Sequence, residues 1–544
     1  MPEAGGQITT MATAAEIVAR RLYDAGCRFA FGIPGGEVLT LMKALDEAGI
    51  EFILTKHENA AGFMAQGTYF ADGAPGILLA TIGPGVANAI NVIADADQDR
   101  VPLIFLTGCI EAADAATHTH QIFDHRAVLD PITRATFTLL DGAADVIIDK
   151  ALAKALDGQP GPVHVDVPIP VAEAVQSGPA MPRRVPLTPS VPTGPDLETA
   201  KSWLAQAERP LMVVGVDVLN DGASDVVASM AADFSIPVIT TYNAKGVIPE
   251  DHDLALGGAG LSPKADAHLI PFMANSDLVI LAGYDPIEMR RGWRNPWPAD
   301  THVVDISAVP NTHYMHQGSL NFVGHMGATL EALRDGVEPR ATWLGGAPAA
   351  LKSALREDFG GDEEWGPAAV VDAVRKALPR EGVATVDTGA HRILLDHVWE
   401  SYAPRGLLQS TGLGTMGCAL PLAMGHRLAK PEVPVVVFTG DAGLEMTLGE
   451  LATLRDLGGP LPIVVFVDRS LALIELKQRA SGYANLAVDF GGTNFAAVAE
   501  AFGGVGVNAG DRTALMSAMT DAIARDTFTI IACDIGERPY INRF

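Results

Sequence analysis

Short apolar runs alternate with stretches of helical periodicity along nearly the whole chain. Continuous apolar runs bounded by Gly, Pro or Asp predict strands buried on both faces, and the helical stretches between them predict crossovers that keep those strands parallel. In the first third, 51–55 (EFILT) reads as such a strand, and Glu58 then opens a helix rich in small residues, Ala60, Ala61, Gly62 and Ala65. A further strand, 76–82 (GILLATI), runs into Gly83-Pro84-Gly85. The middle of the chain shows strands at 210–215 (PLMVVG) and 277–282 (DLVILA). Towards the end, 433–438 (VPVVVF) leads to Thr439-Gly440-Asp441, and 462–467 (PIVVFV) ends at Asp468.

Two stretches break this rhythm. The proline-rich segment 167–196 (Pro168, Pro170, Pro179, Pro182, Pro186, Pro189, Pro192, Pro195) reads as an ordered crossing linker, and about 335–366 mixes Gly, Pro and acidic residues. The expectation is an α/β protein of three consecutive parallel-sheet domains, 1–180, 190–335 and 365–544. A chain of 544 residues exceeds what one hydrophobic core usually supports, which agrees.

Composition narrows the partners. Hydrophobic residues make up 48% and charged ones 19%, which fits a well-buried globular protein. The formal charge of −27 comes with no basic stripe, so nucleic acid is not expected as a partner. Cys27, Cys109, Cys418 and Cys533 lie far apart and form no CxxC pair, so a reducing compartment is the default. Residues 1–10 lack the basic start and apolar core of a signal peptide, and runs such as 461–467 are too short to span a bilayer. A cytoplasmic protein without a membrane partner is expected.

The candidate chemistry lies at strand ends, where open parallel sheets bind ligands. Gly440-Asp441-Ala442-Gly443 follows a strand directly, so backbone N–H groups can approach an anion and Asp441 can hold a cation. Asp468 ends the next strand 468 − 441 = 27 positions later, about one strand–helix–strand unit. The two carboxylates would share one rim, suited to Mg²⁺ holding a diphosphate. Taken singly, Asp441 reads more readily as a helix N-cap and Asp468 as a turn residue; the spacing and the glycines together favour the metal reading.

These residues carry a resemblance. Gly440-Asp441-Ala442-Gly443 through Asp468-Arg469-Ser470 resembles the signature of thiamine-diphosphate-dependent enzymes, which runs from GDG or GDA to an asparagine. The resemblance implies metal ligation by Asp441, Asp468 and the main-chain oxygen of Ser470. Asp468 stands where the family has Asn, although some catabolic acetolactate synthases also carry Asp there. The segment 56–67 (KHENAAGFMAQG) is similar to the family's HEQ-type segment and implies that Glu58 hydrogen-bonds the cofactor's aminopyrimidine ring. Without the resemblance, Glu58 would read as an acid favouring a helix N-terminus.

Further segments agree. Phe31-Gly32-Ile33-Pro34-Gly35-Gly36 resembles the loop in which Pro34 and Gly35 face the pyrimidine. Gly83-Pro84-Gly85 with Asn88 resembles the GPG(A/V)xN turn. In 411–417 (TGLGTMG), with Gly414, Met416 matches the hydrophobic wedge that bends the cofactor. Gly389-Ala390-His391 matches a Gly-Gln-His stretch near the diphosphate, with Ala390 lacking the amide. The implied domains are pyrimidine-binding, central Rossmann-like and diphosphate-binding, with active sites formed between copies of a homodimer or homotetramer. Gly412 to Gly417 also satisfies the dinucleotide pattern G-x-G-x-x-G, but a lone match is weak and its surroundings fit thiamine diphosphate better.

The resemblance is closest to acetolactate synthases. It implies decarboxylation of a pyruvate-like 2-oxo acid with carboligation to a second carbonyl. A non-ligating 2-oxo acid decarboxylase and an inactive binding or scaffold homologue are the alternatives. The opening of the middle block, 210–222, lacks a glycine cluster, and Lys477 replaces the tryptophan of biosynthetic members, so FAD is not expected. In the same helix Leu471 and Leu473 are expected at the cofactor by position, although periodic apolar residues usually serve the core. Residues 117–125 (THTHQIFDH) look like the FQE-type segment, with Gln121 at its glutamine and His120 at its Phe. His118, His120 and His125 are too irregularly spaced for a zinc site. His120 and Gln121 are the candidates for proton transfer or carboxylate recognition.

Overall fold

The computed structural model describes residues 11–176, 182, 185 and 187–544. Residues 1–10, with the signal-peptide question, and Pro179 and Pro186 of the linker lie outside the described residues. By packing, the chain divides into two compact units. One comprises 1–187 with 421–432 and 449–456, and the other 188–420, 433–448 and 457–544.

The first unit holds a six-stranded parallel sheet: β1 (Phe29–Ile33), β2 (Glu51–Leu54), β3 (Gly76–Ala80), β4 (Leu103–Cys109), β5 (Ala135–Thr138) and β6 (Pro162–Pro168). Its strand order is β2-β1-β3-β4-β6-β5, so the order reverses between β1 and β3. Strands β3, β4 and β6 are buried almost throughout, as their unbroken apolar runs require. After β2 the chain enters helix α1 (Glu58–Asp72), and after β3 helix α2 (Pro84–Gln98). The small residues of α1 permit close packing. A Cβ on Gly62 would lie 2.4 Å from a methyl of Val92 on α2. Proline in the linker did not prevent regular structure: Ile169–Glu173 is helical and Val175–Gln176 pairs antiparallel with Ala12–Thr13.

The second unit holds two further parallel sheets. The middle one comprises β7 (Pro210–Val214), β8 (Val238–Thr241), β9 (Ala255–Ala259), β10 (Leu278–Ala282), β11 (His302–Ser307) and β12 (Leu320–Val323). Its order, β9-β8-β7-β10-β11-β12, is that of a dinucleotide-binding fold. The last sheet comprises β13 (Val383–Val386), β14 (Leu407–Gln409), β15 (Val435–Gly440), β16 (Leu461–Val467), β17 (Val505–Ala509) and β18 (Phe528–Asp534), ordered β14-β13-β15-β16-β18-β17. This order repeats that of the first sheet, and it reverses between β13 and β15. The stretch 335–366 is more than a connector. Helix Ala347–Phe359 runs through it, and Leu351 and Phe359 are buried in the core of this unit.

Candidate active site

The reversal between β13 and β15 opens a crevice at the carboxyl edge of the last sheet, the place where such sheets bind ligands. Chain leaving β13 passes through Asp387, Thr388 and Gly389 into helix Ala390–Val398. Chain leaving β15 enters helix Asp441–Met446 without an intervening loop, because Gly440 serves as its cap. Between them lies a cavity of about 140 Å³. Gly389, His391, Met416, Gly440, Asp441, Ala442, Gly443, Asp468, Ser470, Leu471 and Leu473 all line it. Gly414 adopts a left-handed turn two residues before Met416 and is not among the lining residues. The cavity is smaller than the roughly 300–1,000 Å³ of sites that enclose a whole drug-sized ligand, so it suits one end of a cofactor. A cleft of about 800 Å³ lies elsewhere, lined by Arg209, Asp277 and His302 at the amino ends of β7, β10 and β11, the edge where such sheets do not bind ligands.

An acidic pair dominates this cavity. Asp441 Oδ2 accepts hydrogen bonds from the backbone N–H of Asp468 (3.2 Å) and Arg469 (2.7 Å), which ties the end of β15 to the end of β16. Asp468 Oδ1 accepts from the N–H of Ser470 at 3.2 Å. Burial, and then the negative charge of Asp441, raise the Asp468 carboxyl to about 7. Asp441 is raised as well, mainly by burial. Burial raises both carboxyls, and the charge of Asp441 raises Asp468 further, so the pair forms a site that a divalent cation would relieve. The Ser470 hydroxyl is turned to Asp489 at 2.8 Å, which leaves its main-chain oxygen as the possible ligand.

Three buried side-chain atoms around the same cavity have no hydrogen-bond partner: Thr388 Oγ1, His391 Nε2 and the Tyr540 hydroxyl. Unpaired buried polar atoms are costly, and three of them on residues that line one crevice fit a polyanion such as a diphosphate. Burial, and then Arg392, push His391 down to about 3, and its ring stacks on Phe466 at 5.3 Å between centroids. An anion in the cavity would draw a proton to that ring. Among the described residues no Lys or Arg lines the cavity, so a cation would be needed to balance a diphosphate there.

Thr388, Phe466 and Tyr540 were not singled out by the sequence, nor was Asp387. The Asp387 carboxylate is fully buried and accepts from the N–H groups of Gly417 (2.7 Å) and Cys418 (3.1 Å) and from the Thr439 hydroxyl (3.2 Å). It thereby fixes the turn that carries Met416. Gly443 is required beside it, since a Cβ there would lie 1.9 Å from Asp387 Oδ2. The G-x-G-x-x-G run from Gly412 to Gly417 forms turns beyond the edge strand β14, and the next helix begins at Ala419.

In the first unit, Glu58 is buried at the first position of α1, and its Oε2 accepts from Asn88 Nδ2 at 2.9 Å. Asn88, expected beside the cofactor, thus lies on the candidate acid itself. The reversal point of this sheet is pinned by the Thr81 hydroxyl donating to Glu37 at 2.5 Å, with Pro34 exposed and Gly35 half-buried on the loop before Glu37. His118, His120 and Gln121 are exposed, and Gln121 adopts a left-handed backbone. His125 is buried and parts company with them. Its Nε2 accepts from the N–H of Gly83 (3.2 Å), so its Nδ1 donates to Asp166 (2.8 Å). Thr107 also donates to Asp166, at 2.7 Å, and His164 Nε2 lies 2.8 Å from the Thr107 hydroxyl. His125, His164 and Asp166 are close enough to bind an ion, but these internal bonds account for the cluster. Among the described residues no helix is long and apolar enough to cross a membrane.

Comparison with known proteins agrees with this geometry. Residues 12–128 match the thiamine pyrophosphate enzyme N-terminal TPP binding domain, 197–333 its central domain, and 387–533 its C-terminal TPP binding domain. The acetolactate synthase of Bacillus subtilis is 29% identical over 91% of this chain and 88% of its own length. A probable acetolactate synthase large subunit of Methanocaldococcus jannaschii is 30% identical over 85% of this chain and 81% of its own. A probable 2-ketoarginine decarboxylase of Pseudomonas aeruginosa is 31% identical over 85% and 83%. With three matching domains in order and an acidic, anion-ready crevice at the expected strand ends, the chain belongs to the thiamine-diphosphate-dependent enzymes, among their acetolactate-synthase-like members.

Proposed function

We propose that the enzyme decarboxylates a pyruvate-like 2-oxo acid and joins the remaining fragment to a second carbonyl, as an acetolactate synthase does. The observation that carries this is the acidic pair Asp441 and Asp468 beside three unpartnered polar atoms at the crevice of the last sheet. Bound thiamine diphosphate supplies the nucleophilic carbon and the electron sink for decarboxylation. The protein's part is to hold, orient and exclude water. Asp441, Asp468 and the Ser470 main-chain oxygen would hold Mg²⁺ against the diphosphate. Gly440, Ala442 and Gly443 border that end, as do Gly389 and His391. Met416, Leu471 and Leu473 form the apolar wall. Glu58, with Pro34 and Gly35, serves the pyrimidine end. Gln121 and His120 are the candidates for contact with the substrate carboxylate.

The domain boundaries 1–180, 190–335 and 365–544 belong to the same proposal, as do assembly into a homodimer or homotetramer and a cytoplasmic location. All four cysteines are free, which suits a reducing compartment. Function without FAD is proposed because the segment that opens the middle block, 210–222, carries no glycine cluster after its strand.

One relative carries a decarboxylase name, and Lys477 is exposed on helix Ala472–Ala480, so release of an aldehyde without ligation is the second reading. Incubation with thiamine diphosphate, Mg²⁺ and a panel of 2-oxo acids separates the two. Acetolactate or another 2-hydroxy-3-oxo acid supports ligation, aldehyde alone supports the second reading, and no turnover across the panel contradicts both.

A further inference from the structure

We propose that the hydroxyl of Tyr540 is a donor to the diphosphate of the cofactor, which makes the final segment of the chain a wall of the cofactor site. Tyr540 follows the last strand, β18, and is 3% exposed. Its ring belongs to the core of the unit and leans on Phe544 at 6.4 Å between centroids. The following turn is held in place as well: the Arg543 N–H donates to the Tyr540 carbonyl at 3.2 Å, and its guanidinium pairs with Glu363. Tyr540 is thus a buried residue that lines the cavity, and its hydroxyl has no hydrogen-bond partner. Burial, together with the charges of Asp468 and Asp441, keeps the phenol protonated far above its ordinary range, so it is a donor at any working pH.

The chemistry of the cavity selects what it donates to. Asp441 is already served by three backbone N–H groups and Asp468 by that of Ser470. Thr388 and His391 present the other unpartnered atoms of the same wall. A group with several acceptor oxygens satisfies all three. A hydroxyl that merely packed in the core would need no such company, and phenylalanine would serve it better.

This inference rests on the cofactor assignment above, and its test separates the two. Wild type and Tyr540→Phe are titrated with thiamine diphosphate, inorganic pyrophosphate and unphosphorylated thiamine, each with Mg²⁺, by calorimetry. Thermal midpoints are recorded without ligand. The variant is expected to bind thiamine diphosphate and pyrophosphate at least about tenfold more weakly, as for one lost hydrogen bond to a charged group. Thiamine affinity and the ligand-free midpoint should not fall. Wild-type binding of thiamine diphosphate with affinity within twofold in the variant overturns this inference alone. No binding by wild type overturns both. If Tyr540→Phe does not fold, fluorine NMR of 3-fluorotyrosine placed at 540 reads the same contact. A resonance that shifts on addition of Mg²⁺ and pyrophosphate supports it, and one that stays put overturns it.

Discussion

Asn88 Nδ2 donates a hydrogen bond to Glu58 Oε2 at 2.9 Å, so helix α2 orients the acid that follows β2. The bond satisfies one carboxyl oxygen, and in the proposed site the other would meet the cofactor ring. Glu58→Gln keeps the shape but cannot hold the same proton, and it should lower kcat by about 10²-fold or more, the range of general acid–base effects. Asn88→Ala should leave Glu58 in place but unoriented. It is expected to cost about tenfold in kcat and to shift the pH profile of kcat, which steady-state assays across pH will read. Wild-type turnover in Glu58→Gln would remove it from the chemistry.

Asp468 brings one more negative charge to the cation site than an asparagine would. Asp468→Ala should lose Mg²⁺-supported activity, since it removes a ligand. Asp468→Asn keeps an oxygen ligand and relieves the repulsion with Asp441, so it should retain activity while needing more Mg²⁺ for half-saturation. Metal titrations of activity decide this, and unchanged Mg²⁺ dependence in Asp468→Ala contradicts the ligand role.

Gly443→Ala places a methyl 1.9 Å from Asp387 Oδ2, so either the helix at Asp441 shifts or the Asp387 carboxylate leaves the N–H groups of Gly417 and Cys418 and frees the turn carrying Met416. Overpacking of this kind costs about 1–3 kcal/mol. The expected result is a folded protein with sharply reduced thiamine diphosphate affinity, read by titration beside a thermal melt. Undiminished affinity would show that the contact is slack.

Much of this was legible beforehand. Glycine and aspartate directly after an apolar run mark a strand end, and Asp441 and Asp468 stood out for that reason, whereas Glu58 stood out through the family resemblance of 56–67. Tyr540 and Thr388 were not legible, because a tyrosine after a strand looks like core and a threonine like a cap. What makes them matter is the absence of a partner, a property of three-dimensional placement. The histidines of 117–125 misled in another way. Spacing grouped His118, His120 and His125, whereas the fold gives His125 to Asp166 on β6, 41 residues away. In 335–366, Gly345, Gly346 and Pro348 concealed the stripe Leu351, Leu355 and Phe359 that helix Ala347–Phe359 packs inward.

Asp166 offers a test of pH dependence. Burial alone would raise its carboxyl, but hydrogen bonds from His125, His164 and Thr107 outweigh burial and hold it below the ordinary value of 3.8. A depressed carboxyl stabilises the fold above its unfolded pKa, and that contribution is lost as pH falls from about 4 towards the folded value. Asp166→Asn should therefore melt lower than wild type at pH 7, with the gap narrowing below about pH 4. A gap that stays constant with pH contradicts the assignment.

The most direct test is calorimetric titration of the purified protein with thiamine diphosphate in the presence and absence of Mg²⁺. One cofactor bound per chain with Mg²⁺, and little or none after chelation, is the predicted result. Failure to bind the cofactor even with saturating Mg²⁺ would contradict the reading of the crevice between β13 and β15.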